Sequence, residues 1–301
     1  MSGLPELPTR LAVVCHDAGA CNVILPWLAH AAHSGLHLRA VMHGPAERLR
    51  RARFGAVPLC SGPDQALHGA QLLISGTSWA TSLEHDARVR AAVLGVRSAA
   101  VLDHWVNYPD RFVRHGLLQW PDEFWVADDN ALALARQHFP APRLRCLDNL
   151  YLAEQVQAVP PLCARHREQQ QALLYVMEPM RNDWGRGVAG EWQALDWFMQ
   201  QRVAAGIPAA LPIRLRPHPS DEPGKYAHWL ALHPEVQLGT SATSAQALSA
   251  ARWVVGCESY ALVVALAAGR VVFCSLPPWA APCRLPHTGL RSLGAAPVAL
   301  A

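Results

Sequence analysis

Lysine is nearly absent from this sequence, since Lys225 is the sole example among 301 residues. Charged residues make up 16% of the chain, and the formal net charge is +3 with histidine neutral. So small a charge excludes an extended nucleic-acid interface, which depends on many clustered cations. The exception is a run of arginines that we interpret as a solvated helix face, with a phosphate or membrane-surface role as the alternative: Arg48, Arg50, Arg51 and Arg53.

Long apolar runs are also lacking. The longest charge-free stretch near the C-terminus, Ser259 to Gly269, is shorter than the about 20 residues that a membrane-spanning helix needs. The first ten residues include Glu6 and two prolines and lack the apolar core of a signal peptide. The eight cysteines form no C-x-x-C pair, so we expect reduced, buried thiols, a cytoplasmic protein and no metal site, while peripheral association with a membrane stays open.

The first half of the chain alternates apolar strands with helical segments. The predicted strands are Leu11–Cys15, Leu38–Met42, Leu72–Ser75, Ser98–Leu102 and Glu123–Ala127, and the predicted helices are Cys21–Ser34 and Asn130–His138. Repeated strand–helix alternation is typical of a parallel sheet with helices on both faces.

The alternation restarts after a break at Ala158 to Pro161 and the polar segment 165–171, which we interpret as a linker. The second half has predicted strands at Ala172–Met177, Ile213–Arg216, Val236–Leu238, Trp253–Gly256 and Val271–Cys274, with helices over Glu191–Ala205, Ala245–Ala250 and Ser259–Ala268. The sequence therefore predicts two Rossmann-like α/β domains, residues 1–157 and 166–301, facing across a cleft.

Polar residues gather where the predicted strands end: His16-Asp17, Thr77-Ser78, Asp103-His104, Glu178, Arg216 to His218, and Glu258-Ser259. Ligands of parallel α/β sheets bind beyond the carboxyl ends of the strands, which favours a functional cleft there. The alternative is that loops at strand ends are polar without any function.

Two local motifs in the second half suit phosphate binding. In R-L-R-P-H-P-S-D, Arg214 to Asp221, prolines stiffen a loop that presents Arg216 and His218, both of which can donate to phosphate oxygens. Further on, Glu258 and Ser259 open an apolar helix whose first N–H groups can hold a phosphate or sugar hydroxyls. The alternatives are a proline-rich surface turn and a simple helix cap at Ser259.

The order strand, G-x-E-S, Ala-rich helix, A-G and V-V strand, Ala251 to Phe273, resembles the donor-binding domain of GT-B glycosyltransferases and of the related UDP-GlcNAc 2-epimerases. The R-P-H-P segment is similar to the His-Pro motif of bacterial sialyltransferases and Kdo transferases. The resemblance implies a GT-B-like fold in which His218 contacts the donor phosphate while Glu258 and Ser259 hold the donor. Arg216 and Glu178 complete the predicted donor site. The chain departs from the GT-B pattern at Asp148-Asn149, where a G-N-P-like turn is expected.

Asp17, at the end of the first strand, is the first candidate for the catalytic base, and capping of the next helix is its alternative role. Asp103 and His104 are the second candidates. Trp105 and Tyr108 form a predicted acceptor platform, or else pack against the sheet. Two further acceptor contacts are predicted for Arg111, which could pair with an acidic sugar, and Ser78.

These residues predict a glycosyltransferase that moves a sugar from a nucleotide-activated donor, with a CMP-linked acidic sugar favoured, to a glycan or surface-polysaccharide acceptor. No cofactor is predicted, and no D-x-D motif suggests a metal–diphosphate site. The alternatives are an enzyme like UDP-GlcNAc 2-epimerase, a pyruvyltransferase, or an inactive nucleotide-sugar binding protein on the same scaffold.

Overall fold

The computed structural model describes residues 3–31, 35–54, 59–162 and 172–294, and the chain divides into two compact units, 1–151 and 152–301. Each unit contains a six-stranded sheet in which every strand pairs in parallel with its neighbours. The predicted fold class, two parallel-sheet α/β domains, is confirmed. The domain limits and the roles given to the two domains stay predictions.

The sheet of unit 1 has the strand order β2-β1-β3-β4-β7-β8. Its strands are β1 (Arg10–Cys15), β2 (His37–Met42), β3 (Leu72–Ser75), β4 (Arg97–Leu102), β7 (Glu123–Val126) and β8 (Leu144–Cys146), and a hairpin of β5 (Val113–Arg114) and β6 (Leu117–Leu118) stands apart. The helices are α1 (Ala18–Ala31), α2 (Gly44–Phe54), α3 (Pro63–Leu67), α4 (Leu83–Leu94), α5 (Asp129–Ala135) and α6 (Leu150–Gln157), the last of which runs across the limit between the units.

The sheet of unit 2 has the order β11-β10-β9-β12-β13-β14. Its strands are β9 (Ala172–Val176), β10 (Ile213–Arg216), β11 (Val236–Leu238), β12 (Ala251–Gly256), β13 (Val271–Cys274) and β14 (Leu290–Ser292). The helices are α7 (Gly190–Gln201), α8 (Ala227–Leu232), α9 (Ser244–Ser249) and α10 (Tyr260–Ala267). No helix in the described part of the chain is long and apolar enough to cross a membrane.

Burial explains why the strands form where the sequence predicted them. β1, β3 and β4 sit inside their sheet and are buried almost throughout, which is the pattern of strands covered on both faces.

The arginine run lies on α2 with Arg48, Arg51 and Arg53 exposed, as a solvated face requires, but Arg50 is buried. The polar linker segment 165–171 lies outside the described residues.

The strand order creates one switch point in each sheet. β1 has β2 on one side and β3 on the other, and β9 likewise lies between β10 and β12. In unit 1 the chain passes from β1 to β2 on one side and from β3 to β4 on the other, and in unit 2 it passes from β9 to β10 and from β12 to β13 in the same way. The loops after these neighbouring strands therefore diverge and leave room for a ligand beyond the carboxyl edge.

Candidate functional site

Asp17 and Ser78 meet at the switch point of unit 1, where β1 and β3 end. The Ser78 hydroxyl donates to Asp17 Oδ1 at 2.7 Å, and the same oxygen lies 3.1 Å from His16 Nδ1. The Asp17 side chain keeps 37% of its surface exposed. One carboxylate is thus oriented by two neighbours while part of it faces solvent, which suits a group that must take a proton from a ligand.

Buried Glu84 on α4 is hydrogen-bonded to the backbone at the end of β1, next to Asp17. Its Oε1 accepts the His16 backbone N–H at 2.8 Å, and a Cβ on Gly76 would lie 2.9 Å from the same oxygen. Burial raises the pKa of Glu84, while the His16 hydrogen bond acts in the opposite direction. Glu84 therefore fixes the backbone that carries Asp17.

Asp103, which follows β4, forms a buried ion pair with Arg111. Arg111 Nη1 donates to Asp103 Oδ1 at 3.0 Å and to the Thr77 hydroxyl at 2.9 Å, and its Nε donates to the Val106 carbonyl at 3.1 Å. Arg111 was predicted to pair with an acidic sugar; in the structure it pairs with Asp103, and its role toward an acceptor stays a prediction. The pair braces the loop after β4 against the loop after β3.

Gly19, in the first turn of α1, makes room for the Asp103 carboxylate. A Cβ added there would lie 1.8 Å from Asp103 Oδ2. We expect Gly19→Ala to lower the free energy of unfolding by about 1–3 kcal/mol, because the side chain held by Arg111 must be displaced. Urea unfolding measures the loss. In an Asp103→Ala background the same substitution should cost little, and an equal loss in both backgrounds would contradict the contact.

The predicted acceptor platform is packed inside unit 1. Trp105 and Tyr108 are 5% and 3% exposed; the indole N–H of Trp105 donates to the Asp128 carboxylate, and Tyr108 stacks on Phe139. His104 lies edge-on to Trp105 with ring centroids 5.2 Å apart. These rings pack as the alternative interpretation predicted, and their acceptor role stays a prediction.

In unit 2 the switch point brings Glu178 and Glu258 together. Glu178 follows β9, and its Oε2 accepts the Glu258 backbone N–H at 2.8 Å. Burial raises the pKa of Glu178; the hydrogen bond from Glu258 lowers it. This hydrogen bond links the loop after β9 to the loop after β12 at the carboxyl edge of the sheet.

Arg284 donates hydrogen bonds to both oxygens of the Glu258 carboxylate. Its Nη2 donates to Oε2 at 2.6 Å, its Nε lies 3.1–3.2 Å from both oxygens, and its backbone N–H donates to Oε1 at 2.6 Å. Glu258 is 3% exposed, whereas the Arg284 side chain is 51% exposed. Both oxygens of Glu258 accept from Arg284, whose side chain is half exposed, and the donor role predicted for Glu258 stays a prediction.

Ser259 caps α10, as its alternative role predicted. Its side chain accepts the Ala261 N–H at 3.3 Å. The cap occupies one amide of the first turn, and the positive end of the helix dipole still points to the carboxyl edge of β12. A donor role for Ser259 stays a prediction.

The loop after β10 holds His218 through one ring nitrogen. His218 Nδ1 lies 2.7 Å from the Ser220 hydroxyl and accepts the Ser220 backbone N–H at 3.2 Å, so Nδ1 faces its own loop. Burial lowers the pKa of His218, which keeps the ring neutral near pH 7. Arg216, at the strand end, donates to the Ser241 carbonyl at 2.8 Å. The loop thus places a histidine and an arginine together, and their role in donor binding stays a prediction.

Asp221 holds this loop in place. Its Oδ2 accepts the His218 backbone N–H at 2.8 Å and the Tyr226 hydroxyl at 2.7 Å, and its Oδ1 pairs with Lys225 at 2.7 Å. Lys225 also pairs with Glu191 at 2.7 Å. Burial opposes ionisation of Asp221, but these hydrogen bonds outweigh it and lower its pKa. The only lysine of the chain thus serves to fix the loop.

Sequence reasoning missed His16, Glu84, Asp221 and Arg284 as site residues. His16 and Asp221 were within motifs already singled out and could have been proposed from them. Glu84 and Arg284 act across 68 and 26 residues of sequence, and no local pattern marks them. Among the described residues, no group of three His, Cys, Asp or Glu side chains is arranged to hold a metal ion.

Solved structures of similar fold are known, although the sequence itself has no match among families. No protein-family model and no curated protein matches the sequence. Among solved structures, the chain is similar to UDP-GlcNAc 2-epimerase from Methanocaldococcus jannaschii in complex with UDP-GlcNAc and UDP, with a TM-score of 0.57 and 8% identity over 88% of this chain and 83% of that one.

Two further structures agree. UDP-GlcNAc 2-epimerase from Neisseria meningitidis bound to UDP-GlcNAc has a TM-score of 0.56 and 11% identity, over 88% of this chain and 81% of that one. The S. aureus MnaA–UDP co-structure has a TM-score of 0.59 and 11% identity, over 89% and 79%. At such low identity the likeness establishes the fold: this chain has the two-domain parallel α/β architecture of these enzymes.

Proposed function

We propose that this protein is an enzyme acting on a nucleotide-activated sugar, with a nucleotide-binding edge in unit 2 and with Asp17 as the candidate base in unit 1. The observation that carries the proposal is the row of groups along the carboxyl edge of adjacent strands β10, β9 and β12. His218 can offer its Nε2, and Arg284, although paired with Glu258, keeps 51% of its side chain exposed. An imidazole and a half-exposed guanidinium on one edge suit the phosphate of a nucleotide.

Glycosyl transfer is the reaction that we propose first. Asp17 would remove the proton from an acceptor hydroxyl as it attacks the anomeric carbon of the donor, while Ser78 and His16 hold the carboxylate in position. The resemblance of R-P-H-P to the His-Pro motif favours a CMP-linked acidic sugar as donor and a glycan as acceptor.

Epimerisation of a UDP-sugar is the second candidate, because the solved structures of similar fold include UDP-GlcNAc 2-epimerases with UDP or UDP-GlcNAc bound. The two reactions differ in what they need: an epimerase converts its substrate alone, whereas a transferase needs an acceptor. Incubation with UDP-GlcNAc alone, followed by NMR of the sugar, distinguishes them, since a new sugar configuration without an acceptor would identify the epimerase.

The nucleotide is identified by thermal shift with CMP, CDP, UDP, GDP and dTDP. A nucleotide at about a hundred times its Kd stabilises the protein by roughly 2.7 kcal/mol, which raises Tm by a few degrees. We expect a shift that is lost in His218→Ala and retained in the control His228→Ala, an exposed histidine on α8. A shift with CMP supports the CMP-sugar transferase, a shift with UDP supports a UDP-sugar enzyme, and no shift with any nucleotide contradicts the proposal.

A further inference from the structure

Three cysteines converge beside the Glu258–Arg284 pair. Cys274 ends β13, and its thiol donates to the Cys257 carbonyl at 3.2 Å; the thiol of Cys283 lies 3.9 Å from the same oxygen. The thiols of Cys274 and Cys283 therefore contact the same carbonyl oxygen, which makes the two sulfurs neighbours. Cys274 is 2% exposed, whereas Cys283 is half-buried. One member of the pair is therefore open to a small reagent, and the other lies directly behind it.

The two thiols differ in acidity. The hydrogen bond with Cys274 lowers the pKa of Cys283, although burial and the nearby Glu258 and Glu178 act in the opposite direction. The same hydrogen bond, together with burial, raises the pKa of Cys274. Because the thiolate is the reactive form, Cys283 is the nucleophile of the pair and Cys274 remains protonated behind it.

We propose that Cys283 and Cys274 form a reversible thiol–disulfide site, with Cys283 as the reacting thiol and Cys274 as its resolving partner. With hydrogen peroxide as oxidant, the Cys283 thiolate attacks one peroxide oxygen, the O–O bond breaks, and Cys283 becomes a sulfenic acid as hydroxide leaves. The released hydroxide takes the Cys274 thiol proton and becomes water; the Cys274 thiolate then attacks the Cys283 sulfur, the S–O bond breaks, and the departing hydroxide takes up the proton that Cys283 lost at the start. Two thiols and one peroxide thus give one disulfide and two waters, and an external dithiol reverses the change.

The disulfide would act on the candidate site through Arg284. Arg284 directly follows Cys283 and holds Glu258 through both its backbone N–H and its guanidinium. Drawing the Cys283 sulfur into a covalent bond moves the backbone that carries these two contacts. The cysteine pairing stands by itself, whereas its effect on nucleotide binding rests on the proposed function.

Peptide mapping tests the pairing. The full chain is treated with hydrogen peroxide, free thiols are blocked with N-ethylmaleimide, and the digest is analysed by mass spectrometry. We expect a Cys274–Cys283 cross-linked peptide that dithiothreitol removes, while Cys60 and Cys146, which are also half-buried, remain alkylated. In Cys274→Ser, the sulfenic acid on Cys283 should persist and react with dimedone. Oxidation of Cys283 no faster than that of Cys60, or oxidation without the cross-link, would overturn the proposal.

The effect on the site is measured on the same oxidised sample. The nucleotide that stabilises the reduced protein should give a smaller thermal shift after oxidation, with recovery in dithiothreitol and no change in Cys283→Ser. An unchanged shift in fully cross-linked protein would overturn the link to Arg284. If no nucleotide stabilises even the reduced protein, the proposed function fails, and the cross-link result still decides the pairing.

Discussion

Asp17→Asn should lower the rate of turnover by about 10²–10⁴-fold, the range expected when a general base is lost, and leave the fold and nucleotide binding intact. Asparagine retains a carbonyl oxygen that can accept from Ser78 at the position where Asp17 Oδ1 does, so the local hydrogen bonds survive. What is lost is the ability to take up a proton. The measurement is the initial rate with the nucleotide sugar whose nucleotide gives the thermal shift.

Asp110→Asn is the matched control, since Asp110 is an exposed carboxylate of the same unit outside the switch point. It should retain the rate of the unchanged protein. Asp103→Asn tests the second candidate. Because Asp103 Oδ1 already accepts from Arg111, whereas the Asp17 side chain keeps 37% of its surface exposed, we expect Asp17 to be the base. A larger rate loss in Asp103→Asn than in Asp17→Asn, with both variants folded, would reverse the assignment.

Most strands could be predicted: burial on two faces leaves continuous apolar runs at Leu72–Ser75 and Val271–Cys274, whereas Ile213–Arg216 alternates apolar and polar residues. Leu72–Ser75, Ile213–Arg216, Val236–Leu238 and Val271–Cys274 were predicted with their observed limits. β8 and β14 were missed: each has three residues, and Leu290–Ser292 includes an arginine. A strand this short is stabilised by pairing with the neighbouring strand, and a short stretch of sequence contains no information about that contact.

α4 was missed for a different reason. Its buried face includes Glu84, His85 and Arg88, so the polar residues that normally mark the solvent side lie inside. Arg88 donates to the Ser75 hydroxyl and the Gly76 carbonyl at the end of β3. Glu84 and Arg88 thus obscure the amphipathic pattern of α4 in the sequence, and the same two side chains bond to the loops after β1 and β3.

The polar residues at the strand ends were the most informative sequence signal for the position of the site, but they did not predict the role of each residue. They placed Asp17, Ser78 and Asp103 at one edge of the sheet, because the carboxyl ends of parallel strands lie at the same edge. They could not show that the carboxylate of Asp103 is taken by Arg111 and that of Glu258 by Arg284. Which polar groups neutralise one another is decided by the three-dimensional arrangement of the loops, which no local sequence pattern contains.

Arg111→Met should lower the free energy of unfolding of unit 1 by about 3–5 kcal/mol, the range for removing one partner of a buried ion pair. The side chains of Arg111 and Asp103 are 7% and 16% exposed, so water can replace little of the lost interaction. Methionine fills much of the volume but leaves the carboxylate without a cation, and the Val106 carbonyl loses its donor as well. Urea unfolding of the full chain, followed by fluorescence and circular dichroism, gives the loss.

A double-mutant cycle separates the charge from the packing. Asp103→Asn should restore part of the stability of Arg111→Met, because the buried charge is then gone and the remaining cost is that of unmatched neutral groups. Arg97→Met removes an exposed arginine at the start of β4 and should change the stability by less than about 0.5 kcal/mol. If Arg111→Met behaved like this control, the ion pair would contribute no more than a surface contact, and the loops after β3 and β4 would need another source of rigidity.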